Sequence, residues 1–151
     1  MTTKCEICKS LDLNTERLLV TDHWIVTLAQ DQGYLGRCYV TTRKHKQHLH
    51  ELDPSEWQDL NTVICRLEDS ISKTFGATLY NWACMMNNAY QESDPMPHVH
   101  WHVRPRYIAP VTFRGVIYSD KDFGHHYDRE HRVLLDDSKI TAITTAIKSN
   151  L

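Results

Sequence analysis

The chain has 151 residues, 24% of them charged and 41% hydrophobic, and its formal net charge is −2 with its ten histidines neutral. That length suits one ordinary domain with a sizeable core, and the charge balance argues against a general nucleic-acid binder. Met1 to Ser10 lacks the apolar stretch of a secretory signal, no later apolar run reaches a membrane span, and five cysteines, an odd number, speak for reduced thiols or metal ligands. A cytoplasmic protein with no membrane or nucleic-acid partner is expected.

The N-terminus carries Cys5-Glu6-Ile7-Cys8, a pair that can place two thiolates on one metal. A thioredoxin-like redox role is disfavoured, because that motif follows a strand and only four residues precede it here. Short β-type stretches come next at Leu18 to Val20 and Trp24 to Leu28, then a loop from Gln30 to Gly36 punctuated by Gly33 and Gly36. A third strand, Cys38 to Thr42, runs into the basic group Arg43, Lys44, His45 and Lys46, with His48 and His50 close behind. The clearest helix is Pro54 to Phe75: Asp53 can cap it, Pro54 suits its first position, Glu56 completes a capping box and Gly76 can end it. Its stripe of Trp57, Leu60, Ile64, Leu67, Ile71 and Phe75 is a packing surface. Leu79 to Met86 reads as another strand, and Asn87 to Pro97, with two prolines, as a loop.

That loop delivers the chain to His98-Val99-His100-Trp101-His102. Histidine alternating with bulky apolar residues is the period-two pattern of a half-buried strand, so the three imidazoles project from one face while Val99 and Trp101 turn to a core. A wet strand face can carry any polar residue, but solubility does not ask for histidine three times in register. Two chemistries fit: a metal held by three imidazoles, or a site that uses imidazole as nucleophile and acid/base. Pro105 is expected to end the strand, with Arg104, Arg106 and Tyr107 at its exit. Phe113 to Tyr127 is aromatic and glycine-punctuated, with His125 and His126 unassigned, and Ser138 to Asn150 reads as a last helix with Ile140, Ile143 and Ile147 on one face.

His98 to Val103 resembles the signature of the histidine triad (HIT) family, and Pro105-Arg106 resembles the Pro-Arg that often follows it. Gly36 to His45 is similar to the family's glycine, strand and basic-x-His segment, the Asp53 to Phe75 helix falls where the family has its long helix, and Cys5 and Cys8 resemble the N-terminal pair of a zinc-bearing, bacterial-type subset. The similarity spans roughly residues 5 to 107. It implies an α+β, HIT-like fold: an antiparallel sheet of about five strands with one long helix packed on it, joined here by the C-terminal helix. A single domain over residues 1–151 is expected, with a family core over 1–110 and an extension over 111–151.

The resemblance implies a hydrolase or nucleotidyl transferase acting at the α-phosphate of a nucleoside monophosphate conjugate, such as a dinucleoside polyphosphate or a nucleoside phosphoramidate. It gives His100 the role of nucleophile through a nucleotidyl-histidine, and His102 that of donor to a phosphate oxygen or the leaving group. Asn87, with Asn88 as the near alternative, corresponds to the residue that bonds the phosphate region, and Asp31 to the one that binds ribose hydroxyls. It assigns a structural zinc to Cys5, Cys8, His45 and His98, with His48 the rival third ligand, and it implies a nucleotide substrate and a homodimer. Three positions depart from the pattern. Arg37 stands where many relatives have a fourth histidine, Pro95 where they carry Ser or Thr, and Arg104 in a slot usually apolar. Two other functions keep a place: a metal-dependent hydrolase or cupin-like protein with a catalytic metal on His98, His100 and His102, and a nucleotide-binding adaptor with little turnover.

Overall fold

The computed structural model describes residues 5–13 and 16–151. Helix α1 (Glu6–Leu13) leads into strands β1 (Leu19–Val20), β2 (Trp24–Leu28) and β3 (Cys38–Thr42), then helix α2 (Pro54–Phe75), strand β4 (Leu79–Cys84) and strand β5 (His100–Arg106). These strands form one antiparallel sheet in the order β1-β2-β3-β5-β4, which bears out the α+β expectation of a five-stranded sheet with a long helix. A separate hairpin of β6 (Val111–Phe113) and β7 (Val116–Tyr118) follows, and helix α3 (Asp137–Lys148) closes the chain. No described helix is long and apolar enough to cross a membrane.

Alternation along the strands gives the sheet its two faces. Trp24, Val26, Cys38, Val40 and Val103 are buried on one side with Leu60, Val63, Leu67 and Ile71 of α2. The helix begins as its sequence dictates: the Asp53 carboxylate accepts from the Ser55 and Glu56 N–H groups, and Glu56 reaches back to the Asp53 N–H at 2.8 Å. Gly76, at φ +76°, ends it in the left-handed conformation. The buried stripe differs from the expected one in two places. Val63 is fully buried, whereas Trp57 is 42% exposed and joins Ile64, Trp82 and Trp101 along an apolar groove beside the core. Trp101 therefore lies at the margin of the core and not within it.

Pro105 does not end the strand, as β5 runs through it to Arg106. The Arg106 carbonyl accepts from Thr78 on the β4 side, so the Pro105 nitrogen faces the other neighbour, β3, whose ladder has already stopped at Cys38 opposite Val103. No donor is missed there. The triad strand also starts two residues later than its histidines, since His98 and Val99 precede β5, and β4 ends at Cys84 with Met86 outside it. Asn87–Gln91 forms a 3-10 turn within the expected loop, and α1 is a helix that the Cys-x-x-Cys spacing alone does not announce.

The extension beyond β7 is built into the domain. Ile140, Ile143 and Ile147 are buried, and Ser70 of α2 donates to the Ile147 carbonyl at 2.7 Å. The stretch 119–135 crosses the sheet face that carries the histidines. Asp120 takes a bidentate bond from Arg106 at 2.5 and 3.0 Å, the Asp128 N–H donates to the Tyr34 hydroxyl at 3.0 Å, and the Gln32 N–H to the Val133 carbonyl at 2.8 Å.

Candidate active site

His100, His102, Arg104 and Arg106 alternate down one face of β5, and across β3 they look toward Arg37, Tyr39 and Thr41. The cleft above them has a volume of about 1070 Å³ and is walled by α1, by the Met85–Asp94 loop and by Tyr127 to Leu134 of the extension. His98 stands at its rim but belongs to a second cluster.

The hydrogen bonds assign each imidazole. His98 is 1% exposed, and its Nε2 lies 2.9 Å from the Thr42 carbonyl. A carbonyl only accepts, so Nε2 carries the proton and the Nδ1 lone pair faces outward. Burial and the neighbouring His45 and His100 rings push this imidazole down to about 4, which keeps it neutral. Its Nδ1 lies 3.6 Å from Cys5 Sγ, 3.5 Å from Cys8 Sγ and 3.3 Å from His45 Nδ1, while Cys8 Sγ and His45 Nδ1 are 3.6 Å apart. All four ligand atoms lie within 4.8 Å of one another.

These separations test whether the group fits zinc. With metal–sulfur bonds of about 2.3 Å and metal–nitrogen bonds of 2.0–2.1 Å, a tetrahedron has sulfur–nitrogen edges of about 3.6 Å and nitrogen–nitrogen edges of about 3.3 Å. The observed edges match, and the two-sulfur, two-nitrogen set is one that zinc favours. The Thr42 carbonyl supplies the outer-shell partner that orients a ligating histidine. His48 stacks on His50 with ring centroids 5.3 Å apart and is not among the clustered ligands.

His100 is positioned by its neighbour. Its Nδ1–H donates to the His98 carbonyl at 2.7 Å, so the Nε2 lone pair points into the cleft, 3.1 Å from His102 Nε2. His102 Nε2 also lies 3.3 Å from the Met85 carbonyl, which makes it the protonated nitrogen. Burial first, then the charges of His100 and Arg104, push His102 down to about 4. The row thus presents an unprotonated nitrogen beside a neutral N–H donor. It does not present three converging lone pairs, because both His98 nitrogens are engaged elsewhere. That geometry speaks against one metal shared by His98, His100 and His102.

Asp31 and Arg37 form an ion pair at one end of the cleft. Burial works against ionisation of Asp31, yet the Gly33 and Val133 N–H groups and the Arg37 guanidinium together hold its carboxyl below the ordinary range. Asn87 and Asn88 line the cleft from the exposed 3-10 turn. Pro95 is not among the lining residues. Several cleft residues escape a reading of the sequence. Tyr39, whose ring meets those of His100 and His102 edge-on, was accessible through the alternation of β3. Tyr127, His131 and Arg132 come from a stretch with no periodic signal, and Glu6, Ile7 and Lys9 reach the cleft through the unannounced α1.

A family model described as "HIT domain" matches residues 12–108. The bis(5'-nucleosyl)-tetraphosphatase (asymmetrical) of Schizosaccharomyces pombe is 29% identical over 85 residues, 56% of this chain and 46% of that protein. The chain thus spans about half the length of this curated relative. Among solved structures, a hypothetical histidine triad nucleotide-binding protein from Sulfolobus tokodaii superposes with a TM-score of 0.70 at 15% identity, covering 97% of this chain and 91% of that one. A zinc-bound histidine triad family protein from Mycobacterium smegmatis superposes with a TM-score of 0.61 at 17% identity, covering 97% and 94%.

Proposed function

This chain belongs to the HIT-domain family, and from that premise we propose that it cleaves nucleoside monophosphate conjugates at the α-phosphate through a covalent nucleotidyl-histidine on His100. The observation that carries this reading is the tautomer of His100: Nδ1–H is tied to the His98 carbonyl, which leaves Nε2 as a lone pair directed into the cleft. The similarity to a tetraphosphatase supports a hydrolase and a nucleotide substrate.

In the first half-reaction Nε2 of His100 attacks the α-phosphorus, an N–P bond forms and the P–O or P–N bond to the leaving group breaks. His102 donates a hydrogen bond from its Nε2–H to a phosphate oxygen or to the departing atom, and an amine leaving group takes its proton from water in the cleft. The Nδ1–H bond to the His98 carbonyl meanwhile strengthens as positive charge develops on the ring. Water then attacks the nucleotidyl-histidine, its proton leaves with a base in the cleft, the N–P bond breaks and the imidazole returns to its starting state. With an alcohol or phosphate acceptor in place of water the same intermediate gives transfer. Asp31 and Arg37 would bind the ribose end, and Asn87 or Asn88 the phosphate region.

Cys5, Cys8, His45 and His98 would hold a zinc ion whose contribution is structural, since its four protein ligands leave no open position. The unpaired outer edge of β4 and the adjacent Trp57, Trp82 and Trp101 support a homodimer built across that edge. The decisive experiment incubates wild type and His100→Ala with dinucleoside polyphosphates and nucleoside phosphoramidates, and follows turnover and intact mass. A nucleotidyl adduct on the wild type alone, with turnover lost by 10³-fold or more on the order of other covalent catalysts, is expected. Undiminished turnover by His100→Ala would sink the nucleophile assignment, and binding without turnover by the wild type would favour the adaptor.

A further inference from the structure

The three imidazoles of the row are not held equally. His98 has both nitrogens engaged, and His100 is fixed by its Nδ1–H bond of 2.7 Å to the His98 carbonyl. His102 has no such anchor. Among the described residues its Nδ1 is buried without a hydrogen-bond partner, and its single N–H is shared between the Met85 carbonyl at 3.3 Å and His100 Nε2 at 3.1 Å. The first contact is long for an N–H···O bond, and in the proposed reaction the α-phosphate takes the place of the second. The outer torsion of a histidine is broad and roughly two-fold. A half-turn of the ring exchanges Nε2 with a carbon, so an imidazole that turns over no longer offers its donor to the cleft.

Packing has to supply what hydrogen bonding does not, and the sheet register shows from where. His102 lies directly opposite Tyr39 on β3 and Ala83 on β4, and side chains at opposed positions share a face and touch. Ala83 brings only a methyl group. Tyr39 brings a whole ring, whose centroid is 5.1 Å from that of His102 at an interplanar angle of 77° and 6.2 Å from that of His100 at 65°. Both contacts fall in the edge-to-face range. The two imidazoles sit 4.9 Å apart, tilted by 51°, and Tyr39 abuts the pair. The residue opposite His100 is Thr41, which has no ring to offer.

We propose that Tyr39 is a positioning residue for the donor: its ring keeps His102 from turning over or swinging aside, and so holds the protonated Nε2 toward His100 Nε2, where both can meet one phosphate. This rests on the reading of His100 as nucleophile and His102 as donor. The contribution belongs to the ring and not to the hydroxyl, because the contacts that confine the imidazole are ring on ring. Tyr39 transfers no proton and makes no bond to phosphorus in this role. Its effect passes through His102.

The test is a double-mutant cycle. Tyr39→Leu, which keeps an apolar side chain in the strand, is made in the wild type and again in a His102→Ala background, and turnover of a dinucleoside polyphosphate is followed. In the wild type Tyr39→Leu is expected to lower kcat by about 5- to 50-fold while KM changes less, and Tyr39→Phe to recover most of that loss. Once His102 is absent the same change should cost less than about twofold. Carbon relaxation of the His102 ring, measured by NMR at neutral pH, should show a rigid imidazole in wild type and Tyr39→Phe and a mobile one in Tyr39→Leu. An equal loss in both backgrounds would make Tyr39 a general support of the cleft and overturn the proposal, as would a His102 ring that stays rigid in Tyr39→Leu. Should the wild type turn over no nucleotide, the reading of His100 fails by itself, and the relaxation measurement alone decides the role of Tyr39.

Discussion

At the scale of single residues, the site depends on how hydrogen bonds distribute protons over chemically identical rings. His98, His100 and His102 differ because one faces the Thr42 carbonyl, one the His98 carbonyl and one the Met85 carbonyl. His102 has a testable consequence. Burial, together with His100 and Arg104, lowers it to about 4 in the fold, against an ordinary value near 6.5 in the unfolded chain. Between those values the unfolded chain binds the proton and the fold does not, so stability must fall as pH drops from about 6.5 to about 4 and gain nothing from this group above that window. Urea denaturation of wild type and His102→Gln at pH 7.5 and pH 5 checks it: the wild type should lose more stability on acidification than the variant. Equal losses would mean that the His102 ring is not held neutral by its surroundings.

At the scale of elements, the ends of α2 are the case where local signals and tertiary structure agree. The capping box, first-position proline and terminal glycine are all written in Asp53, Glu56, Pro54 and Gly76. The period-two row of histidines was equally legible, because alternation survives any detail of packing. What was not legible depends on contacts distant in sequence. Pro105 continues β5 only because β3 has stopped beside it. The stretch 119–135, short of regular structure, acquires its course from Arg106, Tyr34 and the backbone of Gln30 to Gly33. Gly33 shows how closely that stretch approaches: a Cβ there would lie 2.3 Å from the His131 carbonyl oxygen and 3.0 Å from its carbon. Backbone cannot yield as a side-chain tip can, so Gly33→Ala must push the His131 segment outward. A loss of about 1–3 kcal/mol is expected, with KM raised more than kcat is lowered, because on the proposed reading the wall that moves contacts substrate and does not carry the reacting atoms. Steady-state kinetics together with denaturant melts read both effects, and a variant with unchanged KM would show that the segment has no part in substrate binding.

At the scale of the whole molecule, the question is what holds the N-terminal helix to a sheet face whose histidines lie some ninety residues further on. Helix α1 has no buried residue of its own, so apolar packing cannot anchor it. Cys5, immediately before it, is 1% exposed, and the short Sγ–Nδ1 separations from Cys5 and Cys8 to His45 and His98 are the ties that bring it in. The same His98 offers its carbonyl to His100, so the Cys/His cluster and the proposed nucleophile share one residue. A bound zinc would therefore perform two tasks: it would seat α1 as a wall of the cleft and fix the residue that sets the His100 tautomer. Removing it by chelation, or by Cys5→Ser, should leave the sheet standing on its α2 core while α1 comes free. Hydrogen exchange over residues 6–13 should accelerate with β3 and β5 still protected, bound zinc should fall below stoichiometric, and kcat/KM should drop by about 10- to 100-fold. Protection of α1 that persists after the metal is gone would show that some other contact seats the helix, and would uncouple the cluster from the cleft.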